Sequence, residues 1–375
     1  MKIVMLSKPL VSGAYQRKLE ELVQCADISL TAFVPPSWKE PLIGTIPLER
    51  RFTTGYRLEP LPIVANGRHH FYFYRGLHRA LARERPDILH IDEESFNFAT
   101  FLAMRAGKAI GAKCCFYNWA NIDRTYPPPF SFFEQYSFRH ASYAIAGNQE
   151  AATIIRKHGY QGKMAVVPQF GVDPVLFAPK EQSNGRETPN HPEHFIVGYV
   201  GRLIAWKGVL DLVEAMVGLP EHVHLRFIGD GDLRPQLEQH IHQCGVAHRV
   251  TIQPAVGSTD VPTVLHGLDV LVLPSQTQPN WKEQFGRILI EAMSCGVPVI
   301  GSSSGEIPNV IGDAGLVVPE RDTPALRQAL ETLLNNPELQ ETLARQGRER
   351  VLAHYTQAAL ARTYASIYQE MMGEG

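Results

Sequence analysis

Short, mainly apolar runs recur along this chain of 375 residues, separated by stretches long enough for a helix. Ile3–Leu6, Ile28–Phe33, Ile88–Ile91, Lys113–Tyr117, Tyr143–Ala146 and Met164–Val167 form one series. Phe195–Val200, Val223–Ile228, Val250–Ile252, Val270–Leu273 and Val297–Ile300 form a second. Strands that are apolar throughout need cover on both faces, and parallel neighbours need crossovers of helix length. Two series therefore predict an α/β protein of two Rossmann-like, doubly wound parallel-sheet domains, with ligands at the carboxyl ends of the strands. Residues 179–194 separate them: Pro179-Lys180-Glu181-Gln182-Ser183-Asn184-Gly185-Arg186 through His194 is polar and without apolar period, which marks a linker. The expected boundaries are 1–178, 195–355 and a terminal helical segment over 356–375.

Composition narrows the class. An apolar content of 44% fills two cores. The longest apolar runs fall far short of the roughly 20 residues that span a bilayer. The start, MKIVMLSKPL, reads as a first buried strand rather than a signal peptide. Five cysteines form an odd set with no CxxC pair, which fits reduced thiols in a cytoplasmic protein. The histidine pairs lack Cys or carboxylate partners at zinc-like spacing, so no metal is expected. Net charge is −2, but residues 1–178 carry 21 Lys and Arg against 15 Asp and Glu, whereas residues 179–375 carry 15 against 23. The basic first half favours an anionic partner.

The segment from Pro274 to Val299, PSQTQPNWKEQFGRILIEAMSCGVPV, carries the most chemistry. Two carboxylates, Glu283 and Glu291, flank Phe285-Gly286, where a strand and loop give way to the helical pattern Ile288, Leu289, Glu291, Ala292, Met293. A helix starting beside a glycine presents unpaired N–H groups and a positive dipole end to an anion. Carboxylates on either side of that anion can accept hydrogen bonds from sugar hydroxyls. Upstream, the strand Phe195–Val200 ends in Gly201-Arg202-Leu203, and Lys207-Gly208 follows. Arginine gives a planar fork for phosphate oxygens and lysine a compact charge. Phe227-Ile228-Gly229-Asp230-Gly231 lacks the third glycine of a dinucleotide fingerprint.

These elements resemble the glutamate–seven–glutamate segment and the G-R-x…K-G element of retaining glycosyltransferases of family 4 (glycosyl transferases group 1). That family has two facing Rossmann-like domains with a cleft between them, the GT-B fold. The resemblance implies a nucleotide-diphosphate sugar as co-substrate and no metal or other cofactor. Arg202 and Lys207 would then hold the diphosphate, and Glu283 would contact donor-sugar hydroxyls. Glu291 would contact the ribose, and Phe285, Gly286 and Arg287 would surround the phosphate. Gly201, Gly229, Gly231 and Val256 would line the nucleotide site, and Gly13 would face the diphosphate from the first domain. Arg287, four residues before Glu291, either pairs with that carboxylate or adds charge at the diphosphate, the pairing being favoured. Asn309 stands where the family's G-G-x-P-E segment often has Glu. The family's terminal helix crosses back to the first domain, and closure about a hinge is expected.

On the acceptor side, many family members carry a His after the strand equivalent to Lys113–Tyr117, where this chain has Asn118-Trp119. A retaining transfer needs no protein base if the leaving phosphate takes the acceptor proton on the same face, and Asn118 would then orient a hydroxyl. A double displacement would need a carboxylate nucleophile instead. Asp92, Glu93 and Glu94 follow Ile88–Ile91 and either bind hydroxyls or form a solvated acidic turn. Trp119, Tyr126 and Phe130 flank a proline-rich loop that either stacks on a sugar or isoprenoid unit or is only a packed connection. Arg75, Arg79 and Arg83 oppose a stripe of Phe71, Tyr74, Leu77 and Leu81. The pattern fits an ordinary surface helix best, with peripheral contact to an anionic membrane as the alternative. No nucleic-acid motif accompanies the charge.

The function expected is transfer of a sugar from a nucleotide-diphosphate sugar to a hydroxyl on a glycan or lipid-linked acceptor, in surface polysaccharide or glycolipid assembly. A GT-B sugar phosphorylase, a sugar-nucleotide epimerase and a catalytically silent nucleotide-sugar binder are the alternatives.

Overall fold

The structure, a computed structural model, describes residues 1–25, 27–40, 44–180 and 194–373. The central part of the expected linker, residues 181–193, lies outside the described residues. Two compact units form: Met1–Gly171 together with Gln357–Gly375, and Val172–Thr356.

The first unit is built on a seven-stranded parallel sheet in the spatial order Lys163–Val166, Tyr143–Ala146, Lys113–Asn118, Ile88–Asp92, Lys2–Ser7, Ser29–Val34, Arg57–Pro60. The strand Arg57–Pro60 falls outside the apolar series, because its Arg and Glu alternate with a single buried leucine. Alternation along Lys2–Ser7 serves two cores. Val4 and Leu6 pack with Leu81, Ala103 and Phe138 on one face, and Ile3 and Met5 pack with Leu19 and Leu22 on the other. The helix Gln357–Met372 completes the second of these cores with Leu360, Tyr364, Tyr368 and Met371. Tyr368 shares a 2.6 Å hydrogen bond with His90 Nδ1, Lys113 Nζ donates to the Met371 carbonyl at 2.7 Å, and Glu370 pairs with Lys163 at 2.9 Å.

The second unit holds a six-stranded parallel sheet in the order Val250–Gln253, Val223–Ile228, Phe195–Val200, Val270–Leu273, Val299–Ser302, Leu316–Val318. Val270–Leu273 is buried at every position, as expected of a strand covered by helices on both faces. In each sheet the winding reverses once: between Lys2–Ser7 and Ile88–Asp92, and between Phe195–Val200 and Val270–Leu273.

The basic stripe departs from the sequence expectation. The helix runs only from Leu77 to Glu84, because Gly76, at φ +79°, starts it, and Phe73–Tyr74 pairs as a short strand with Ile63–Val64. Arg75 and Tyr74 therefore precede the helix. Among the described residues no helix is long and apolar enough to cross a membrane.

The terminal helix contributes core rather than a peripheral strap. Leu360, 1% exposed, should cost about 3 kcal/mol on replacement by alanine. Urea unfolding followed by circular dichroism should show an earlier first transition in Leu360→Ala, and an unchanged midpoint would deny the helix that role.

Candidate donor and acceptor sites at the strand ends

In the second unit, Arg202 and Lys207 follow the strand Phe195–Val200, and Ser275 and Glu283 follow Val270–Leu273, so the site residues flank the winding reversal. Gly229 at the neighbouring strand end permits a close approach: a Cβ there would lie 1.9 Å from the Gly201 carbonyl oxygen. Lys207 Nζ forms an ion pair with Glu283 Oε2, and Ser275 Oγ donates to the same oxygen at 2.8 Å. The two side chains are 14% and 10% exposed, so water screens the pair weakly. Lys207 Nζ also lies 5.1 Å from the Trp281 ring centroid, and Trp206 stands 6.0 Å from Trp281. Arg202 is exposed, with no ion pair among the described residues.

Glu283 is fixed from behind. Its carbonyl accepts from Glu306 N at 3.0 Å, and Gly305, at φ +54°, would place a Cβ 2.0 Å from that oxygen. The helix Arg287–Ser294 starts at Gly286 in the left-handed region, a residue with no side chain to cap it. Arg287 pairs with Glu291 at 3.0 Å, the alternative favoured from the spacing. Burial pushes the Glu291 carboxyl above the ordinary range, and Arg287 opposes that shift. Phe285 is buried against Tyr355, 5.8 Å between rings, and so supports the loop. Val256 is 37% exposed beyond the strand Val250–Gln253, and Gly231 packs on the Leu203 carbonyl. Asn309 Nδ2 donates to Glu306 at 3.2 Å.

Sequence reasoning missed Ser275, Trp206, Trp281 and Gly305. It also missed Thr277, whose hydroxyl donates to Glu320 at 2.7 Å and lies 3.1 Å from Ser304. The tryptophan inside PNWKE was a usable signal. Glu320 lies 43 residues from Thr277, and nothing local marks their meeting.

In the first unit the acidic cluster is not a solvated turn. Asp92 and Glu93 are each 5% exposed. Ser7 Oγ and Gln169 Nε2 donate to Asp92 at 2.6 and 2.8 Å, and Lys18, buried beside them, donates to the Gln169 carbonyl at 2.9 Å. Burial lowers the Lys18 ammonium, with Asp92 pulling the other way. Lys8 reaches Glu93 at 3.6 Å. Glu94 Oε1 accepts from the Trp119 and Ala120 N–H groups at 2.9 Å each. Glu93 Oε1 and Glu94 Oε2 are buried and lack hydrogen-bond partners among the described residues.

Two expected ligand contacts are occupied by the chain itself. Asn118 accepts from Ser95 N at 2.7 Å and donates to Ser95 Oγ at 3.0 Å, so its amide braces the loop after the neighbouring strand. The Gly13 N–H donates to Glu49 Oε2 at 2.7 Å. In the proline-rich loop, Tyr126 stacks on Phe96 at 4.1 Å and Phe130 packs on Phe71 at 4.9 Å, which favours the packed-connection reading for these two. Trp119 remains partly exposed, stacked on Tyr117.

The sequence model described as Glycosyl transferases group 1 matches residues 181–350, and that described as Glycosyltransferase Family 4 matches residues 31–176. The chain is 34% identical to alpha-D-kanosaminyltransferase of Streptomyces kanamyceticus over 47% of its own length and 46% of that protein's. It is 30% identical to D-inositol 3-phosphate glycosyltransferase of Mycobacterium marinum over 58% of its length and 47% of the relative's. The chain thus spans about half the length of these curated relatives. HepE of Anabaena, solved in complex with UDP, superposes with a TM-score of 0.71 over 99% of this chain and 100% of its own, at 18% identity, which establishes the GT-B fold.

Burial pushes the Glu94 carboxyl up to about 7, against the two N–H groups that pull it down. A folded-state value above the unfolded one means that Glu94 contributes stability that is fully present in acid and is lost as pH rises through about 7. Glu94→Gln keeps an acceptor for Trp119 and Ala120 but cannot ionise. Urea midpoints should therefore fall less between about pH 5 and pH 8 in the variant than in the parent. Parallel curves would show that Glu94 does not titrate there.

Proposed function

Because this chain belongs to the group 1, family 4 glycosyltransferases, we propose that it is a retaining enzyme that moves a sugar from a nucleotide-diphosphate donor to a hydroxyl acceptor. The observation that carries this reading is the Lys207–Glu283 ion pair at the strand ends, with the exposed Arg202 on the loop after Phe195–Val200 and the helix Arg287–Ser294 starting shortly after Glu283. Cation, carboxylate and the positive end of a helix at one strand-end site match a ligand with anionic and hydroxyl-rich parts in sequence. Arg202 and Lys207 take the diphosphate, Glu283 accepts from sugar hydroxyls, and Glu291 accepts from ribose hydroxyls.

In the transfer, the bond from the anomeric carbon to the diphosphate oxygen breaks and a bond to the acceptor oxygen forms on the same face. The acceptor proton passes to the departing phosphate oxygen. Lys207 and Arg202 stabilise charge as it builds there. Glu283, held by Lys207 and Ser275, orients the sugar in this reading and is not a nucleophile. Trp281 and Trp206 offer an apolar wall beside Lys207 for the sugar face. The first unit supplies the acceptor site, with Asp92, Glu93, Glu94 and Trp119 as its candidate residues. The acceptor is a glycan or lipid-linked hydroxyl in surface polysaccharide or glycolipid assembly. UDP is the first nucleotide to test, since HepE was solved with it.

Thermal-shift titration with UDP, GDP and ADP should find one nucleotide that stabilises the protein. Arg202→Ala and Lys207→Ala should each weaken that binding tenfold or more, the loss of a charge-assisted hydrogen bond being worth about 1.5–3 kcal/mol. Glu283→Gln should keep nucleotide binding and lose sugar transfer. Wild-type transfer by all three variants, or a folded protein that responds to none of the nucleotides, would sink the assignment.

A further inference from the structure

The proposed transfer makes no use of a basic face of the first unit. A groove of about 720 Å³ lies there, rimmed by Arg75, His78, Arg79 and Arg105 and floored in part by Leu77 and Leu102. The four basic side chains are exposed, and the three arginines form no ion pair among the described residues. Arg83, the third member of the stripe seen in the sequence, is instead tied to Glu59 at 2.7 Å and Glu84 at 3.3 Å. Phe71–Glu84, Phe98–Ala109 and Phe130–His140 contain two acids between them, Glu84 and Glu134. Both are buried and paired, Glu84 with Lys2 and Arg83 and Glu134 with His158, so neither offsets the charge of the groove.

Two exposed aromatic rings connect to the groove through a chain of ring contacts that ends at Arg105. Phe71 is 48% and Phe132 53% exposed. Phe71 packs on Phe130 at 4.9 Å and Phe132 on Phe101 at 5.6 Å. Phe101 stacks on Phe133 at 4.8 Å and carries the Arg105 guanidinium 5.6 Å from its ring centroid. Arg105 therefore joins the basic rim to the aromatic patch. Singly exposed apolar residues need no explanation. Two rigidly backed phenylalanines beside unpaired arginines, with no exposed acid on the same segments, are a different pattern. Arginine would meet headgroup phosphates while the rings enter the acyl boundary. A soluble polyanion would satisfy the arginines but gives the rings nothing to enter.

We propose that this face docks on an anionic lipid surface, with headgroup phosphates in the Arg75/Arg79/Arg105 groove and Phe71 and Phe132 inserted beside it. The test is flotation of the full chain with vesicles of phosphatidylcholine alone and vesicles that also contain phosphatidylglycerol. Binding is expected to the anionic vesicles only and to weaken with added salt. Arg75→Gln, Arg79→Gln and Arg105→Gln should each lower the partition coefficient about fivefold, and together about a hundredfold. Phe71→Ala with Phe132→Ala should lower vesicle binding while leaving retention on heparin unchanged. Arg345→Gln, a charge-matched change in the second unit, should bind as the parent does. Equal binding to neutral vesicles would overturn the proposal, as would an equal loss in Arg345→Gln. Vesicle binding indifferent to the phenylalanines would overturn it in favour of a soluble polyanion. None of these readouts depends on sugar transfer, so they stand or fall apart from the donor-site reading.

Discussion

A parallel strand is reached only through a crossover, and the direction of winding changes once in each sheet of this protein. At that change the loops leaving two adjacent strands go to opposite faces, and a crevice opens that no other connection covers. In the second unit the strands Phe195–Val200 and Val270–Leu273 flank it. Lys207 descends from the loop after the first and Glu283 from the loop after the second, 76 residues apart in sequence. Their ion pair is a product of strand order. Gly229 and Gly305 serve the same end by letting backbone pass where a side chain would push the loops apart.

That pair has consequences for ligand exchange. A partly buried ion pair contributes little net stability, yet leaving either partner unpaired costs about 3–5 kcal/mol. A diphosphate offers Lys207 more negative charge than one carboxylate does. In the donor-site reading, Lys207 turns to phosphate as Glu283 turns to sugar hydroxyls, and neither charge is stranded. Glu283 keeps Ser275 as a donor throughout, which holds the carboxylate in place while its cation changes partner. In that reading the two halves of the donor are recognised together, and a nucleotide without its sugar would leave Glu283 without its hydroxyl partners.

The parallel strands were legible in the sequence because each is a buried run bounded by polar turns, as at Val270–Leu273. Arg57–Pro60 was not, since an edge strand buries one leucine and carries charges that belong to its neighbours. Glu283, Glu291, Arg202 and Lys207 could be placed near strand and helix ends from the local pattern, while their grouping as one donor site came from the family resemblance. Glu320 owes its position to packing between segments 43 residues apart, which no local pattern encodes. The helical stripe from Phe71 was misread for a single reason. Periodicity treats Gly76 as one more position, whereas its left-handed backbone divides a strand from a helix.

The same topological feature carries opposite chemistry in the two units. At the first unit's winding reversal stand Asp92, Glu93 and Glu94, with Lys8 the nearby cation and Lys18 committed to the Gln169 carbonyl. The Gly13 N–H, which in a phosphate loop would face the ligand, already donates to Glu49. A diphosphate placed there would meet carboxylates and an occupied backbone donor, so its electrostatic cost would be high. A neutral, hydroxyl-rich ligand meets the opposite situation, because Glu93 Oε1 and Glu94 Oε2 are buried acceptors still lacking donors. Burial raises both carboxyls, and hydroxyl donors would lower them again by satisfying the ionised form. This difference in charge pattern supports the proposed reading, in which the anionic donor binds the second unit and a hydroxyl-bearing acceptor the first.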